Sequence, residues 1–288
     1  MEKKGKPNIK KLEKEATEIR KDIIKMLGEA GSGHPGGSLS SVEILTGLYY
    51  YKMRHNPKKP DWPDRDRFIL SKGHICPALY TVMARCGYFP KEELMTLRKL
   101  HSRLQGHPHM LYLPGLETSC GSLGQGLSVA NGIALGARLD KKDYRTYCLL
   151  GDGETDEGQV WEAAMTASHY KLDNLCAIID RNRLQIDGFT EDVMKLESVR
   201  DKWASFGWHV IEIDGHSIKE VMDAYDEAEE SKGKPTMIVA HTIKGKGVSF
   251  MEDKAEWHGV APKGEQIELA LKELNMKPTK EQLEEAEG

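Results

Sequence analysis

Short apolar runs separated by amphipathic segments recur along this chain of 288 residues. Leu12, Ala16, Ile19, Ile23 and Leu27 repeat at helical spacing, which predicts a first helix with one face turned inward, ending near Gly28. The pattern then predicts a Pro-rich loop over 56–63, a strand over 68–71 and a helix over 77–87. The stretch 101–121 is rich in His, Pro and Gly and shows neither period. Irregular segments of that length inside a compact domain tend to be functional. A helix over 123–139 leads to a strand at 148–150, a helix at 157–170 and a strand at 176–179, which together make one βαβ unit. Strands at 208–213 and 236–240 flank a helix at 218–231. This alternation predicts an α/β fold: a doubly wound, mostly parallel sheet flanked by helices. The expected organisation is one domain over 1–262 with an amino-terminal helical arm, followed by a looser charged tail over 263–288 without a clear role.

The predicted βαβ unit gives the first chemical lead. Gly151-Asp152-Gly153 follows the strand at 148–150, and Asp180-Arg181-Asn182-Arg183-Leu184 follows the strand at 176–179. Asp152 and Asn182 therefore lie side by side at carboxyl strand ends, where open parallel sheets form the crevice that binds phosphorylated ligands. A carboxylate, an amide oxygen and a backbone carbonyl are hard oxygen donors of the kind Mg²⁺ takes when it also holds a diphosphate. Gly-Asp-Gly by itself is equally an ordinary turn; the Asn182 partner at βαβ spacing favours the metal.

The flanking residues carry a resemblance. LLGDGETDEGQVWEAAMTASHYKLDNLCAIIDRNRLQIDG (149–188) resembles the thiamine diphosphate motif of transketolases. SGHPGGS (32–38), SKGHICPALY (71–80), LQGHP (104–108), GSLGQGLS (121–128), and KGKGVSFMED with WHG (244–259) are similar to transketolase blocks in the expected order. The resemblance implies the diphosphate domain of a thiamine diphosphate-binding fold, with Asp152, Asn182 and the Leu184 carbonyl holding Mg²⁺ and Gly151 and Gly153 flanking the metal. It also implies that Gly121 and Leu123 face the cofactor at a helix start. Transketolases resemble the chain only over their amino-terminal domain. The expectation is therefore the amino-terminal subunit of a split enzyme, which passes a two-carbon unit from a ketose phosphate to an aldose phosphate. The pyrimidine-binding domain, with the catalytic glutamate, would come from a carboxy-terminal partner subunit. Two copies of each would form a heterotetramer.

Four histidines sit in glycine- or proline-shaped turns: His34, His74, His107 and His258. Any one alone could be a solvated loop or satisfied core histidine. The resemblance implies that His74 and His258 lie near the diphosphate and that His34 and His107 face the sugar; His101 and His109 match no motif position. Glu157 and Glu162 could be a solvated acidic helix start favoured by the macrodipole. The family instead implies a buried acidic network at a twofold contact. Asp156, Ser122 and Cys120 depart from common family residues, and Cys120 bears on local shape.

Composition adds exclusions. The balance of 41 basic and 45 acidic residues gives 41 − 45 = −4, without the basic excess of a nucleic-acid binder. No run of eighteen apolar residues suggests a membrane span. The start, MEKKGKPNIKK, is basic but has no apolar core behind it, so it does not read as a secretory signal, and a cytoplasmic protein is expected. Five cysteines, Cys76, Cys86, Cys120, Cys148 and Cys176, lack metal spacing and are expected as buried reduced thiols. Rival classes are the alpha subunit of a 2-oxo acid dehydrogenase, a deoxyxylulose-phosphate synthase and a non-catalytic thiamine diphosphate-binding paralogue. Ser-Gly-His-Pro-Gly and Trp-His-Gly favour the transferase. The donor sugar, apulose-type sugars included, is left open.

Overall fold

The computed structural model describes residues 7–276. Helix α1 (Ile9–Ala30) leads through α2 (Pro35–Ser40) and α3 (Val42–Gly47) to strand β1 (Arg67–Leu70) and helix α4 (Cys76–Cys86). After the irregular stretch come α5 (Gly126–Leu139), β2 (Thr146–Gly151), α6 (Gly158–His169) and β3 (Leu175–Arg181). The chain continues through α7 (Thr190–Val193), α8 (Val199–Ser205), β4 (His209–Asp214), α9 (Ile218–Glu230), β5 (Thr236–His241) and α10 (Glu265–Glu273).

The five strands form one parallel sheet in the order β1-β2-β3-β5-β4. The inner strands β2, β3 and β5 are buried on both faces, as expected for a parallel sheet covered on both sides, whereas the edge strand β4 carries the exposed Glu212 and Asp214. Tyr147 and Leu149 of β2, Cys176 and Ile178 of β3 and Ile238 of β5 face the core built with α1, α3, α4 and α9. Their alternates Cys148, Leu150, Ala177, Ile179, Met237 and Val239 face the core built with α5, α6 and α8. The chain steps one way from β1 to β3 and on to β4 at the far edge, then turns back to insert β5 between β3 and β4, so α5, α6 and α8 cover one face and α9 the other. In open parallel sheets such a reversal leaves a crevice at the carboxyl ends of the strands.

Three expectations need correction. Helix α1 does not stop at Gly28; it runs to Ala30 and ends on Gly31, which takes the left-handed conformation at φ 64° and donates its N–H to the Leu27 carbonyl. Gly28 sits inside the helix, where its lack of a side chain leaves room for Ile267 of α10. Residues 263–276 are not a loose tail: they carry α10, whose Ala270 joins the core together with Leu274 just beyond it. The rest of that tail and the first six residues of the basic start lie outside the described residues. Cysteines Cys76, Cys148 and Cys176 are buried thiols, whereas Cys86 and Cys120 are only half-buried. Helices α2 and α3 were not legible because every residue from Pro35 to Tyr49 is buried. Such helices have no polar face and hence no amphipathic stripe.

If α10 belongs to the domain, Leu274→Ala should destabilise the chain by about 2–3 kcal/mol through lost packing. A urea midpoint unchanged by this substitution would show that α10 contributes nothing to the fold.

Candidate active site

The site is assembled around one buried carboxylate. Asp180, near the end of β3, is fully buried and accepts hydrogen bonds from Ser40 Oγ at 2.6 Å, Ser41 Oγ at 3.2 Å and Asn182 Nδ2 at 2.9 Å. Lys72 Nζ and Thr242 Oγ1 also donate to it. Burial alone would push this carboxyl up, but the Lys72 ammonium and the surrounding hydroxyl donors hold it at about 2. With its Nδ2 committed to Asp180, Asn182 accepts the Leu184 N–H on Oδ1 at 3.2 Å.

Asp152 ends the neighbouring strand, where Gly151 stands in register with Asp180. Its Oδ1 accepts from the Gly153 N–H at 2.8 Å, and its Oδ2 accepts from the Arg183 N–H at 2.6 Å and Arg181 Nη1 at 3.1 Å. Burial and the nearby Asp180 charge raise its pKa, while Arg181 opposes them. Asp152, Asn182 and Leu184 thus lie on one hydrogen-bonded pair of strand ends, as expected. The Leu184 carbonyl accepts from Lys244 Nζ at 2.8 Å, so a cation already sits on one of the three implied oxygens. Hard oxygen donors that attract a cation fit Mg²⁺.

Three histidines converge beside them. Ring centroids lie 5.0 Å apart for His34 and His74, 5.5 Å for His34 and His258, and 5.3 Å for His74 and His258. Burial, reinforced by neighbouring positive charges, lowers their pKa values to about 4 for His34, about 2 for His74 and about 3 for His258. All three are neutral at pH 7. Lys244 Nζ also donates to His258 Nδ1 at 2.9 Å, which leaves the ring proton of neutral His258 on Nε2, a donor free for a ligand. His34 Nδ1 is buried without any partner. A buried polar atom lacking a partner is costly, and an incoming polar ligand would satisfy it. The pocket therefore fits a diphosphate ester held by metal and neutral N–H donors.

His107 stands apart from this cluster but near enough to His34 to disfavour a proton on it. Its loop is pinned by Cys76 Sγ and Tyr80 OH, which donate to the Gly106 carbonyl at 3.2 Å and the Gln105 carbonyl at 3.0 Å. His34 thus contacts His74 and His258 directly.

The expected anion site at the start of α5 differs in detail. The helix begins at Gly126, not near Leu123, and two of the N–H groups there are spent inward: Gly124 N donates to Glu154 Oε1 at 2.9 Å, and Gly126 N to Ser71 Oγ at 3.1 Å. Gly121 lies beside the His107 ring, and Cys120 packs over Gly73, where an added Cβ would meet its sulfur at 2.6 Å. Glu157 and Glu162 are exposed in the single chain. The buried carboxylate near them is Glu154, whose pKa burial raises. His109 stacks on Tyr112 and His101 is exposed, so neither joins the site. Sequence reasoning missed Lys72, Glu154, Asp180, Arg181 and Lys244. The available signal was a charged residue immediately after an apolar strand or within a glycine-rich turn.

Similarity to known proteins adds weight. Residues 12–285 match the family described as transketolase, thiamine diphosphate binding domain. The chain belongs to the transketolase family. Among its relatives, an apulose-4-phosphate transketolase subunit of Phocaeicola vulgatus is 46% identical over 93% of this chain and 95% of that protein. The 6-deoxy-6-sulfo-D-fructose transketolase subunit SqwG of a Clostridium species is 47% identical over 91% of this chain and 96% of that protein. Human transketolase is 44% identical over 90% of this chain, which spans only 42% of the human protein's length. The transketolase structure from Campylobacter jejuni superposes with a TM-score of 0.88 and 35% identity, over 95% of this chain and 44% of that one. These matches favour a transketolase over a 2-oxo acid dehydrogenase component.

The histidine cluster gives the cofactor-free chain a pH signature. Unfolded, each imidazole takes a proton near 6.5; folded, none does until about 4 or below. The unfolded state therefore binds more protons in this interval, so stability is complete above pH 6.5 and falls as pH drops towards the folded values. His74→Gln should flatten the loss of urea midpoint between pH 7 and pH 5. A slope identical to that of the parent chain would contradict a neutral, buried His74.

Proposed function

We propose that this chain is the amino-terminal, diphosphate-binding subunit of a two-chain transketolase. What supports the reading is the length of the match: about 95% of two subunit-sized relatives but less than half of the human enzyme. In this reading Asp152, Asn182 and the Leu184 carbonyl hold Mg²⁺. His74 and the Nε2–H of His258 donate to the diphosphate, and His34 and His107 turn towards the sugar. Gly121, Leu123, Gly151 and Gly153 line the approach. Bound thiamine diphosphate supplies the nucleophilic carbon that carries a two-carbon unit from a ketose phosphate to an aldose phosphate.

The chain's own residues bind, orient and exclude water. Neutral imidazoles donate hydrogen bonds without surrendering a proton, which suits groups that hold an anion through a cycle. Lys244, its pKa brought down to about 8 by burial, keeps its positive charge at neutral pH and orients His258. No helix among the described residues is long and apolar enough to cross a membrane. We place the enzyme in the cytoplasm, working on sugar phosphates in carbohydrate metabolism. The second subunit would bring the pyrimidine pocket and its glutamate. Two copies of each subunit would meet near Glu157 and Glu162 at the start of α6, where Met165 of α6 and Val129 of the adjoining α5 are exposed apolar residues. The matched subunits are named for apulose-4-phosphate and 6-deoxy-6-sulfo-D-fructose, so the donor need not be a common pentose phosphate.

The purified chain with Mg²⁺, thiamine diphosphate and a ketose–aldose phosphate pair should give no transfer until the partner subunit is added. Robust transfer by the chain alone, or consumption of pyruvate in place of a ketose, would overturn the proposal. In the assembled enzyme, Asp152→Ala should abolish magnesium-dependent cofactor binding. Asn182→Ala should weaken it too, and the two changes should be non-additive because both serve one ion. His74→Ala and His258→Ala should lower cofactor affinity, whereas His107→Ala should raise the sugar KM or reduce kcat with cofactor affinity nearly unchanged.

A further inference from the structure

Arg181 is an unusual neighbour for a carboxylate that is meant to hold a metal. Its side chain is 1% exposed and reaches three carboxylates at once. Nη1 donates to Asp152 Oδ2 at 3.1 Å and to Thr190 Oγ1 at 2.7 Å. Nη2 donates to Glu191 Oε1 at 3.0 Å and to Glu197 Oε1 at 2.8 Å, and Nε donates to the same Glu197 oxygen at 3.2 Å. Asp152 thus receives one long bond, while the two glutamates take three. Both glutamates come from the segment after β3, Glu191 in α7 and Glu197 just before α8, and their side chains are 39% and 51% exposed.

A guanidinium pressed against Asp152 would repel a second cation at the same carboxylate, and the repulsion is strong where water is excluded. Here one guanidinium serves three carboxylates, a formal sum of 1 − 3 = −2, so the group retains negative charge. The direction of the bonds matters as much as the sum. Glu191 and Glu197 hold the guanidinium by Nη2 and Nε, and Nη1, the single nitrogen left to Asp152, is shared with Thr190.

We propose that Glu191 and Glu197 are positioning residues that draw Arg181 away from Asp152 and so keep that carboxylate available to Mg²⁺. The inference rests on the metal assignment made above. Without the two glutamates, Asp152 is the remaining carboxylate partner of Arg181. The guanidinium then closes on it as a two-nitrogen fork, the geometry in which arginine binds carboxylates most strongly, and competes with the metal. Neither glutamate touches substrate or metal in this scheme. If they only tethered the segment from Thr190 to Val199, removing the arginine as well could not undo their loss. If they act by holding the arginine back, it should.

The test uses the full chain and Mn²⁺, with free metal read by electron paramagnetic resonance. The double variant Glu191→Gln/Glu197→Gln should bind Mn²⁺ about tenfold more weakly, the size of effect typical of residues behind a metal ligand. Adding Arg181→Met should restore most of that loss. The single Glu197→Gln change, on a half-exposed side chain, should give a smaller loss in the same direction. The triple variant replaces an ion cluster with neutral groups, a change that folded chains tolerate better than breaking a pair. Unchanged affinity in the double or single variant, or a triple variant no tighter than the double, would overturn the role given to the glutamates. Absence of saturable Mn²⁺ binding in the parent chain, or binding that survives Asp152→Asn, would instead overturn the metal assignment.

Discussion

Everything that faces the crevice depends on the buried ion pair between Lys72 and Asp180. The two side chains are 2% and 0% exposed, and the pair joins segments that the topology alone would leave separate. Lys72 follows β1, Asp180 belongs to β3, Ser40 and Ser41 lie at the α2–α3 junction, and Thr242 follows β5. Through Asn182 the same carboxylate sets the orientation of an implied metal ligand. Two ions so deep would cost more in lost hydration than their attraction returns, were the remaining lone pairs and protons not satisfied. Here the hydroxyls of Ser40, Ser41 and Thr242 and the Asn182 amide meet that condition.

A second buried pair supports the first from behind. Arg20 of α1 forks onto Glu43 of α3 at 2.5 and 2.7 Å, and its Nε donates to the Lys246 carbonyl at 3.0 Å. His216 completes the junction, meeting Glu43 through Nδ1 at 3.0 Å and accepting the Ile243 N–H on Nε2 at 2.8 Å. The turn that carries Lys244 is thus tied through Arg20 and His216 to Glu43, and it packs against the glycine-rich turn that carries His34. Close approach between them is possible because Gly36 has no side chain: a Cβ there would lie 2.9 Å from Lys244 Cγ and 3.0 Å from the Trp257 carbonyl. Its carbonyl accepts the Gly245 N–H at 2.9 Å. Rigid loops of this kind lower the entropy lost when a ligand is bound.

Much of this was legible in the chain. The strands predicted at 148–150 and 176–179 have the right centres, because buried parallel strands are continuous apolar runs bounded by turn residues. The placement of Asp152 and Asn182 followed from that alone, while the histidines needed the family resemblance to be gathered into one site. What escaped notice was of two kinds. Helices α2 and α3 have no polar face, so periodicity had nothing to detect. The charged residues that organise the site, Lys72, Asp180, Arg181 and Lys244, are of types that seldom lie fully buried. Burial of a charge is decided by a partner far away in sequence, here Asp180 for a lysine 108 residues earlier. Helix α10 was misread for the opposite reason: its composition is charged, and only Ala270 among its residues is fully buried.

The strand order also bears on how the chain comes to be made. Strand β5 is the last in sequence among the described residues yet lies inside the sheet, between β3 and β4. Until the ribosome has delivered the chain through His241, β3 and β4 each lack a neighbour on that side, and the edges they present are open to pairing with other chains. The hydroxyl of Thr242, Lys244 and His258 all emerge later still. Lys72 and Asp180 therefore cannot gather their full set of partners during most of synthesis, and the crevice is completed only when β5 and the segment after it return to the middle of the sheet.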